Sequence, residues 1–317
     1  MLLDFSKPIF VLAPLAGFTD LPLRSVVKKF GADLTVSEMI SSNALVYKNA
    51  KTLKMVEKSP LETPYSVQIS GSKPDIIRSA VEVLNERDDI DIIDLNCGCP
   101  VPKVVNNLSG SSLLNDLPKM AKAIESIKKY SNKEYTSVKI RLGFEEKNHI
   151  EIAKLVEDSG ADFIAVHGRT RSGKFKAPVD YKAIKEIKEA ISIPVIANGD
   201  IDTPAKAKWV LDYTGADGLM IGRGAIGKPW IFTQMKNGDE QPSSQLIQEV
   251  ILEHYDQMIN FYGDYGAILF RKHLHTYSKG GYDGASIFRN NVNRIVNPEE
   301  MRGVIEEFFA QEVKVYG

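Results

Sequence analysis

Residues 1–240 alternate short β-branched runs with amphipathic stretches of roughly ten to fifteen residues. The runs "IFVLAP" (9–14), "LTVSEM" (34–39), "YSVQIS" (65–70), "IDIIDLNC" (90–97), "TSVKIRL" (136–142), "ADFIAVHG" (161–168), "PVIANGD" (194–200) and "GLMIGR" (218–223) predict strands. Between most of them lie helical patterns such as "PDIIRSAVEVLNE", "KMAKAIESIKKY", "HIEIAKLVEDSG" and "YKAIKEIKEAI", with apolar residues three and four apart and Lys or Glu between them. Gly31, Gly160 and Gly215 stand where such helices should end. Strand then helix, eight times over, predicts an α/β fold, a closed parallel (β/α)8 TIM barrel; a doubly wound open sheet is the alternative.

The strand signal stops near residue 240. "NGDEQPSS" (237–244) reads as a linker, and "QLIQEVILEHYDQMINFYG", "AILFRKHLHTYSKG", "SIFRNNVNRIV" and "PEEMRGVIEEFFAQE" read as helices. The organisation is therefore a barrel over 1–240 and a small all-α helical-bundle domain over 241–317. A length of 317 residues suits that division, because a barrel alone takes about 250.

Composition narrows the function by exclusion. A net charge of −1 does not advertise a nucleic-acid partner, so any basic face must be local and offset by acid elsewhere. No apolar run approaches the roughly 20 residues that span a bilayer, so no membrane partner is expected. "MLLDFSKPIF" does not read as an export signal, and with 2 cysteines in the chain the expected compartment is a reducing cytoplasm.

In such a barrel the chemistry lies at the carboxyl ends of the strands. Those ends carry Ala13-Pro14, Glu38, Gln68, Asn96, Lys139 with Arg141, His167, Asn198 with Asp200, and Gly222-Arg223. "IGRGAIG" (221–227) contains G-x-G-x-x-G, but no second strand ending in an acid follows, as a dinucleotide fold requires. The loops after the seventh and eighth strands of a barrel bind phosphate instead, and "ANGD" and "GRGA" occupy those loops. Exposed backbone N–H groups and the Arg223 cation imply a ligand with one phosphate, such as a mononucleotide cofactor.

Both cysteines lie in "DIIDLNCGCPVPK" (91–103). A Cys97–Cys99 bond would close a small strained ring, and structural zinc would need ligands from scattered positions; no metal site is expected. If Asn96 points into the barrel mouth, period-two alternation turns Cys97 outward beneath the helices as a small hydrophobe. Cys99 falls past the strand end, in the loop on the catalytic face. A thiol with the ordinary pKa of about 8.5 is mostly protonated at neutral pH and can serve as an acid. The residues alone leave Cys99 either an inert structural thiol or such an acid.

Taken together, "APLAGFTDLPLR" (13–24), "VSEMISSNAL" (36–45), "VQISGSKPD" (67–75), "DLNCGCPVPKVVNNLSGSSLL" (94–114), "VKIRLG" (138–143), "VHGRTR" (166–171), "IPVIANGDI" (193–201), "GLMIGRGAIGKPWIF" (218–232) and "RKHLHTYSKG" (271–280) resemble the dihydrouridine synthase family, flavin enzymes that reduce uridines in tRNA. "SEMISSNAL" is most similar to a bacterial B-type subgroup. The resemblance implies an FMN-holding barrel followed by a helical tRNA-binding domain. It implies that Pro14, Leu15 and Ala16 line the flavin, that Gln68 and Lys139 contact its ring, and that His167 stands beside it. Asn198, Gly199, Asp200, Gly222 and Arg223 would hold the phosphate and ribityl chain. It further implies that flavin N5 delivers hydride to uracil C6, that Cys99 protonates C5, and that NADPH reduces the flavin again. Asn96, Arg141 and His167 would hold the uracil edge and a neighbouring phosphate.

A tRNA substrate must be gripped largely through its phosphates. Arg271, Lys272, Arg289 and Arg294, with His273, His275 and Lys279, form a local basic set interleaved with Tyr277, Tyr282 and Phe288, and Arg169 and Arg171 form part of another. Two features depart from the family pattern: Cys97, where an apolar residue is commoner, and "RSGKFKAPVDY", with Lys176-Ala177-Pro178 where a glycine is common. The rival readings are a flavin barrel acting on a free pyrimidine, as dihydroorotate dehydrogenases do, and a non-catalytic tRNA-binding module. A monomer is expected.

Overall fold

A computed structural model describes residues 2–238, 240–279 and 281–311. Asp239 of the expected linker, Gly280, and residues 312–317 of the expected helical domain lie outside the described residues.

Eight parallel strands follow one another around a closed ring: β1 (Ile9–Leu12), β2 (Leu34–Val36), β3 (Tyr65–Ser70), β4 (Ile92–Cys97), β5 (Tyr135–Arg141), β6 (Phe163–His167), β7 (Val195–Asn198) and β8 (Gly218–Ile221). The ring closes where β8 pairs with β1, from Ile9 opposite Gly218 to Leu12 opposite Ile221. The (β/α)8 expectation holds and the open sheet does not. One extra piece, Ile40–Ser41, adds to the rim of β3.

Alternation sorts the strand residues into two layers. Ile9, Val11, Ala13, Leu34, Val36, Ile92, Ala165, Ile196 and Met220 fill the barrel interior. Phe10, Leu12, Val67, Ile69, Ile93, Leu95, Cys97, Val138 and Ile140 face the helices. Those helices are α1 (Leu21–Lys29), α2 (Pro74–Asn85), α3 (Leu117–Tyr130), α4 (His149–Asp158), α5 (Tyr181–Ala190), α6 (Pro204–Thr214) and α7 (Ile231–Asn237). Two shorter pieces, Ser42–Val46 and Ala50–Val56, replace a full helix after β2. Asp20, Asp116, Asp180 and Thr203 accept a backbone N–H at the starts of α1, α3, α5 and α6. Gly31, Gly160 and Gly215 end α1, α4 and α6 at positive φ, where a Cβ would be strained.

The remainder folds as α8 (Ser244–Tyr262), α9 (Tyr265–Tyr277), α10 (Ala285–Val292) and α11 (Pro298–Phe309) around a separate core that also takes in Val26 of α1 and Trp230. The bundle therefore docks on the outer face of α1. Lys29 pairs with Glu253, and the Tyr262 hydroxyl donates to Asp20 Oδ2 at 3.1 Å. The interleaved aromatics of the basic set are corrected here: Tyr277, Tyr282 and Phe288, with His273, are buried in this core and face no partner. On α9 the spacing of four between His273 and Tyr277 places both on the inward stripe of the helix. Among the described residues, no helix is long and apolar enough to cross a membrane.

Candidate active site

A cavity of about 750 Å³ opens at the carboxyl ends of the strands. One wall is apolar, made by Ala13, Pro14, Leu15, Ala16, Met39 and Met220. The opposite wall is built by β3 to β8 and the loops after them, and Gln68, Asn96, Lys139 and Asn198 there are held by partners from neighbouring strands.

A chain of hydrogen bonds runs across β3, β4 and β5. Ser137 Oγ donates to Asp94 Oδ1 at 2.6 Å, Gln68 Nε2 donates to Asp94 Oδ2 at 2.7 Å, and Asn96 Nδ2 donates to Gln68 Oε1 at 2.8 Å. The amide orientations are thereby set, because Asp94 accepts only. Asn96 Oδ1 then accepts the backbone N–H of Gly98 at 3.2 Å and of Cys99 at 2.9 Å. Burial raises the Asp94 carboxyl, against the two hydrogen bonds that lower it.

The loop after β4 carries Cys99 to the cavity, half-buried, while Cys97 is fully buried on the helix-facing side. Burial pushes the Cys97 thiol well up. The Cys99 carbonyl accepts the Ser111 N–H at 3.1 Å. Gly110, at φ +61, packs beneath it so closely that an added Cβ would lie 3.0 Å from the Cys99 carbonyl oxygen and 2.8 Å from Val104. The two sulfurs thus lie in different surroundings, Cys97 among helix-facing residues and Cys99 at the cavity, as period-two alternation predicts.

Lys139 Nζ donates to Asn198 Oδ1 at 3.0 Å, and Asn198 Nδ2 to the Met220 carbonyl at 2.7 Å. The ammonium keeps two further protons. Burial, with Arg141 nearby, pulls the Lys139 pKa down to about 8. His167 Nε2 lies 3.2 Å from Arg169 Nη1; a guanidinium can only donate, so Nε2 accepts and the ring proton is on Nδ1. Burial, and then the cations Lys139, Arg141, Arg169 and Arg223, hold this imidazole neutral, with its pKa pushed down to about 2.

At the β7 and β8 loops, Asp200 accepts from both Arg169 and Arg223 and is held below the usual carboxylate range by them. Gly199 stands at φ +131, and a Cβ there would meet Val179 at 3.0 Å. Two guanidinium groups against one carboxylate leave a net positive pole beside Gly222, with Arg223 largely exposed to the cavity.

All the expected cofactor residues line this one cavity, as do Asn96, Cys99 and Arg141. Arg141 is buried, and its guanidinium donates to the carbonyls of Gly98 at 2.8 Å, Thr170 at 3.0 Å and Lys174 at 2.9 Å. It ties the Cys99 loop to the loop after β6. Arg169 lies behind the cavity wall on Asp200 and the Ala177 carbonyl, and Arg171 stacks 4.6 Å from the Phe144 ring centroid. Arg271 donates to the Ile295 carbonyl and Arg289 to Ser278, both inside the bundle, whereas Arg294 is exposed and Lys272 Nζ lies 5.4 Å from the Phe18 ring centroid.

Sequence reasoning missed Phe175, an exposed ring 6.0 Å from His167, with Arg141 and Arg223 guanidinium carbons 5.4 and 5.3 Å from its centroid. It also missed Asp94. Its position two residues before Asn96 on one strand carried the signal, since both must face inward.

The family description "Dihydrouridine synthase (Dus)" matches residues 11–314. The chain is 52% identical over 313 residues to a "Probable tRNA-dihydrouridine synthase" of Helicobacter pylori, covering 98% of this chain and 95% of that one. It is 39% identical over 317 residues to "tRNA-dihydrouridine synthase B" of Shewanella oneidensis, with 97% of each covered. Among solved structures, an old yellow enzyme homologue from Zymomonas mobilis superposes with a TM-score of 0.53 at 14% identity, over 81% of this chain and 94% of that one. Histamine dehydrogenase from Rhizobium sp. 4-9 gives 0.56 at 12%, over 78% and 48%. The two solved structures share the fold.

Proposed function

Because the chain belongs to the dihydrouridine synthase family, we propose that it reduces uridines of tRNA to 5,6-dihydrouridine with bound FMN, NADPH being the reductant, as a cytoplasmic monomer. The observation that carries this reading is the convergence on one cavity of Cys99, Lys139 and the Asp200–Arg223 pole.

FMN fits these residues. A volume of about 750 Å³ has room for a flavin ring together with a base. The ring would lie along Pro14, Leu15 and Ala16, with Gln68 and Lys139 at its polar edge and His167 beside it. Asn198, Gly199, Gly222 and Arg223 would hold the ribityl chain and phosphate, while the doubly paired Asp200 orients Arg223. When bound, the flavin supplies the hydride that adds to uracil C6.

The chain's own residues perform the rest. The addition leaves an electron pair delocalised over C5 and the adjacent C4 carbonyl. Cys99 donates its S–H proton to C5, and the resulting thiolate, half exposed, recovers a proton from water. Asn96 and Arg141 fix the Gly98–Cys99 backbone that leads to that sulfur, and the Ser111 N–H holds the Cys99 carbonyl after it. The Nδ1–H of the neutral His167 is a donor for the uracil edge. Phe175 covers the cavity mouth and helps to exclude water.

A folded tRNA must present its base unstacked. Lys272 and Arg294 have cationic groups free for phosphates, whereas Arg169, Arg171, Arg271 and Arg289 act mainly by holding loops and helices in place.

Lys139→Met is expected to weaken FMN binding roughly 10- to 100-fold, the effect of removing one charge-assisted hydrogen bond, as read by quenching of flavin fluorescence. The wild-type affinity should fall as pH rises through about 8, where the amine loses its proton, and that dependence should vanish in the variant.

The direct test is mass spectrometry of tRNA from cells lacking the gene. Each dihydrouridine adds about 2 Da to a uridine. Loss of that mass at a defined position, restored by the wild-type gene, is the expected result. Intact dihydrouridine, together with turnover of free uracil or orotate by the purified protein, would replace this reading with the free-pyrimidine one. A colourless protein that binds tRNA without altering it would favour the non-catalytic module.

A further inference from the structure

The seam between barrel and bundle holds a cluster that the flavin site does not use. Asp20 at the start of α1, His254 on α8 and His273 on α9 bring one ligand atom each to within 4.8 Å of one another. Both histidines are fully buried, at 0% exposure, and Asp20 is 5% exposed. His254 Nε2 and both ring nitrogens of His273 have no hydrogen-bond partner. Buried polar atoms are nearly always paired, so three unpartnered nitrogens in one place point to a ligand-binding role.

We propose that Asp20, His254 and His273 bind a divalent transition-metal ion, zinc being the best match, which clamps the helical bundle to the barrel. Two imidazoles and a carboxylate, with no sulfur, are a common zinc ligand set. His254 Nδ1 lies 3.0 Å from the Tyr277 hydroxyl, so an Nδ1–H donated there leaves the Nε2 lone pair for the ion. Burial holds both imidazoles in the neutral form that a metal requires. Asp20 keeps one oxygen on the Leu23 N–H at 3.4 Å and the other on the Tyr262 hydroxyl at 3.1 Å, which orients the carboxylate.

A water would complete a tetrahedron. The clamp has a consequence for substrate position. His273 meets the Phe18 ring edge-on at 5.5 Å, in the same loop that carries Pro14, Leu15 and Ala16. Fixing α8 and α9 there would set the bundle's orientation relative to the flavin cavity. This departs from the absence of a metal expected from sequence, where residues 20, 254 and 273 show no ligand spacing.

The test uses the full-length holoprotein without a histidine tag, stripped with a chelator and titrated with zinc against a chromophoric competitor. About one zinc per chain is expected, with nitrogen and oxygen but no sulfur in its X-ray absorption shell. Stripping should lower Tm by about 5 °C, reversibly, as loss of a tight native-state ligand does. Asp20→Asn retains an acceptor for the Leu23 N–H and should weaken zinc at least tenfold; His273→Gln should abolish binding. If His273→Gln does not fold, Asp20→Asn and the absorption shell decide. The proposal is overturned if the reconstituted protein holds no metal and the site contains only water, if both variants bind as the wild type does, or if sulfur is found in the shell.

Discussion

Cys99→Ala should lower dihydrouridine formation by about 10²- to 10⁴-fold, while FMN binding and its reduction by NADPH stay at wild-type levels. The effect should be large because the thiol is held in place rather than merely present. The Asn96 amide fixes the Cys99 N–H at 2.9 Å, the Ser111 N–H fixes its carbonyl, and Gly110 allows the loop to pack beneath it. Single-turnover measurement with pre-reduced flavin separates the half-reactions: the oxidative step on tRNA should slow and the NADPH step should not. Cys97→Ala should keep its activity, since that sulfur is buried on the opposite side of β4 among helix-facing residues. The reverse pattern, an active Cys99→Ala and a dead Cys97→Ala, would show the strand register to be wrong by one residue.

Arg24→Met should reduce the free energy of unfolding by about 3–5 kcal/mol, measured by equilibrium urea denaturation. Arg24 and Glu62 are 1% and 0% exposed and pair at 2.7 Å behind the β1–β2 edge of the barrel. Glu62 also accepts from the Thr35 hydroxyl and the Ser59 N–H, each at 2.7 Å. Arg24 reaches the Thr19 and Glu57 carbonyls at 3.1 and 2.6 Å and lies 5.0 Å from the Tyr65 ring centroid. Removing the cation alone leaves a carboxylate buried without a counter-charge, and that penalty dominates the loss. Replacing both partners, as Arg24→Met with Glu62→Leu, should recover most of it, because buried ion pairs add little over apolar packing of similar volume. A double variant no more stable than Arg24→Met would mean that the arginine's carbonyl contacts carry the effect.

Sequence by itself determined the features that depend on neighbours along the chain. Period-two alternation separated barrel-facing Asn96 from helix-facing Cys97, and placed Gln68, Lys139, His167 and Asn198 at one rim. Glycines at helix ends and β-branched runs set the (β/α)8 order, since capping and strand preference act within a few residues. Tertiary structure decided which rim groups are free to act. Arg141 and Arg169 read equally well as substrate ligands until their carbonyl and Asp200 partners arrive from other loops. Arg271, Lys272, His273, His275 and Tyr277 share one helix, and only docking against α1 shows that His273 and Tyr277 turn inward while Lys272 remains at the seam. Asp94, Phe175 and the Asp20–His254–His273 cluster were hidden for the same reason. Their chemistry exists only between segments far apart in sequence, and a hydrogen bond or ligand set of that kind leaves no spacing to read.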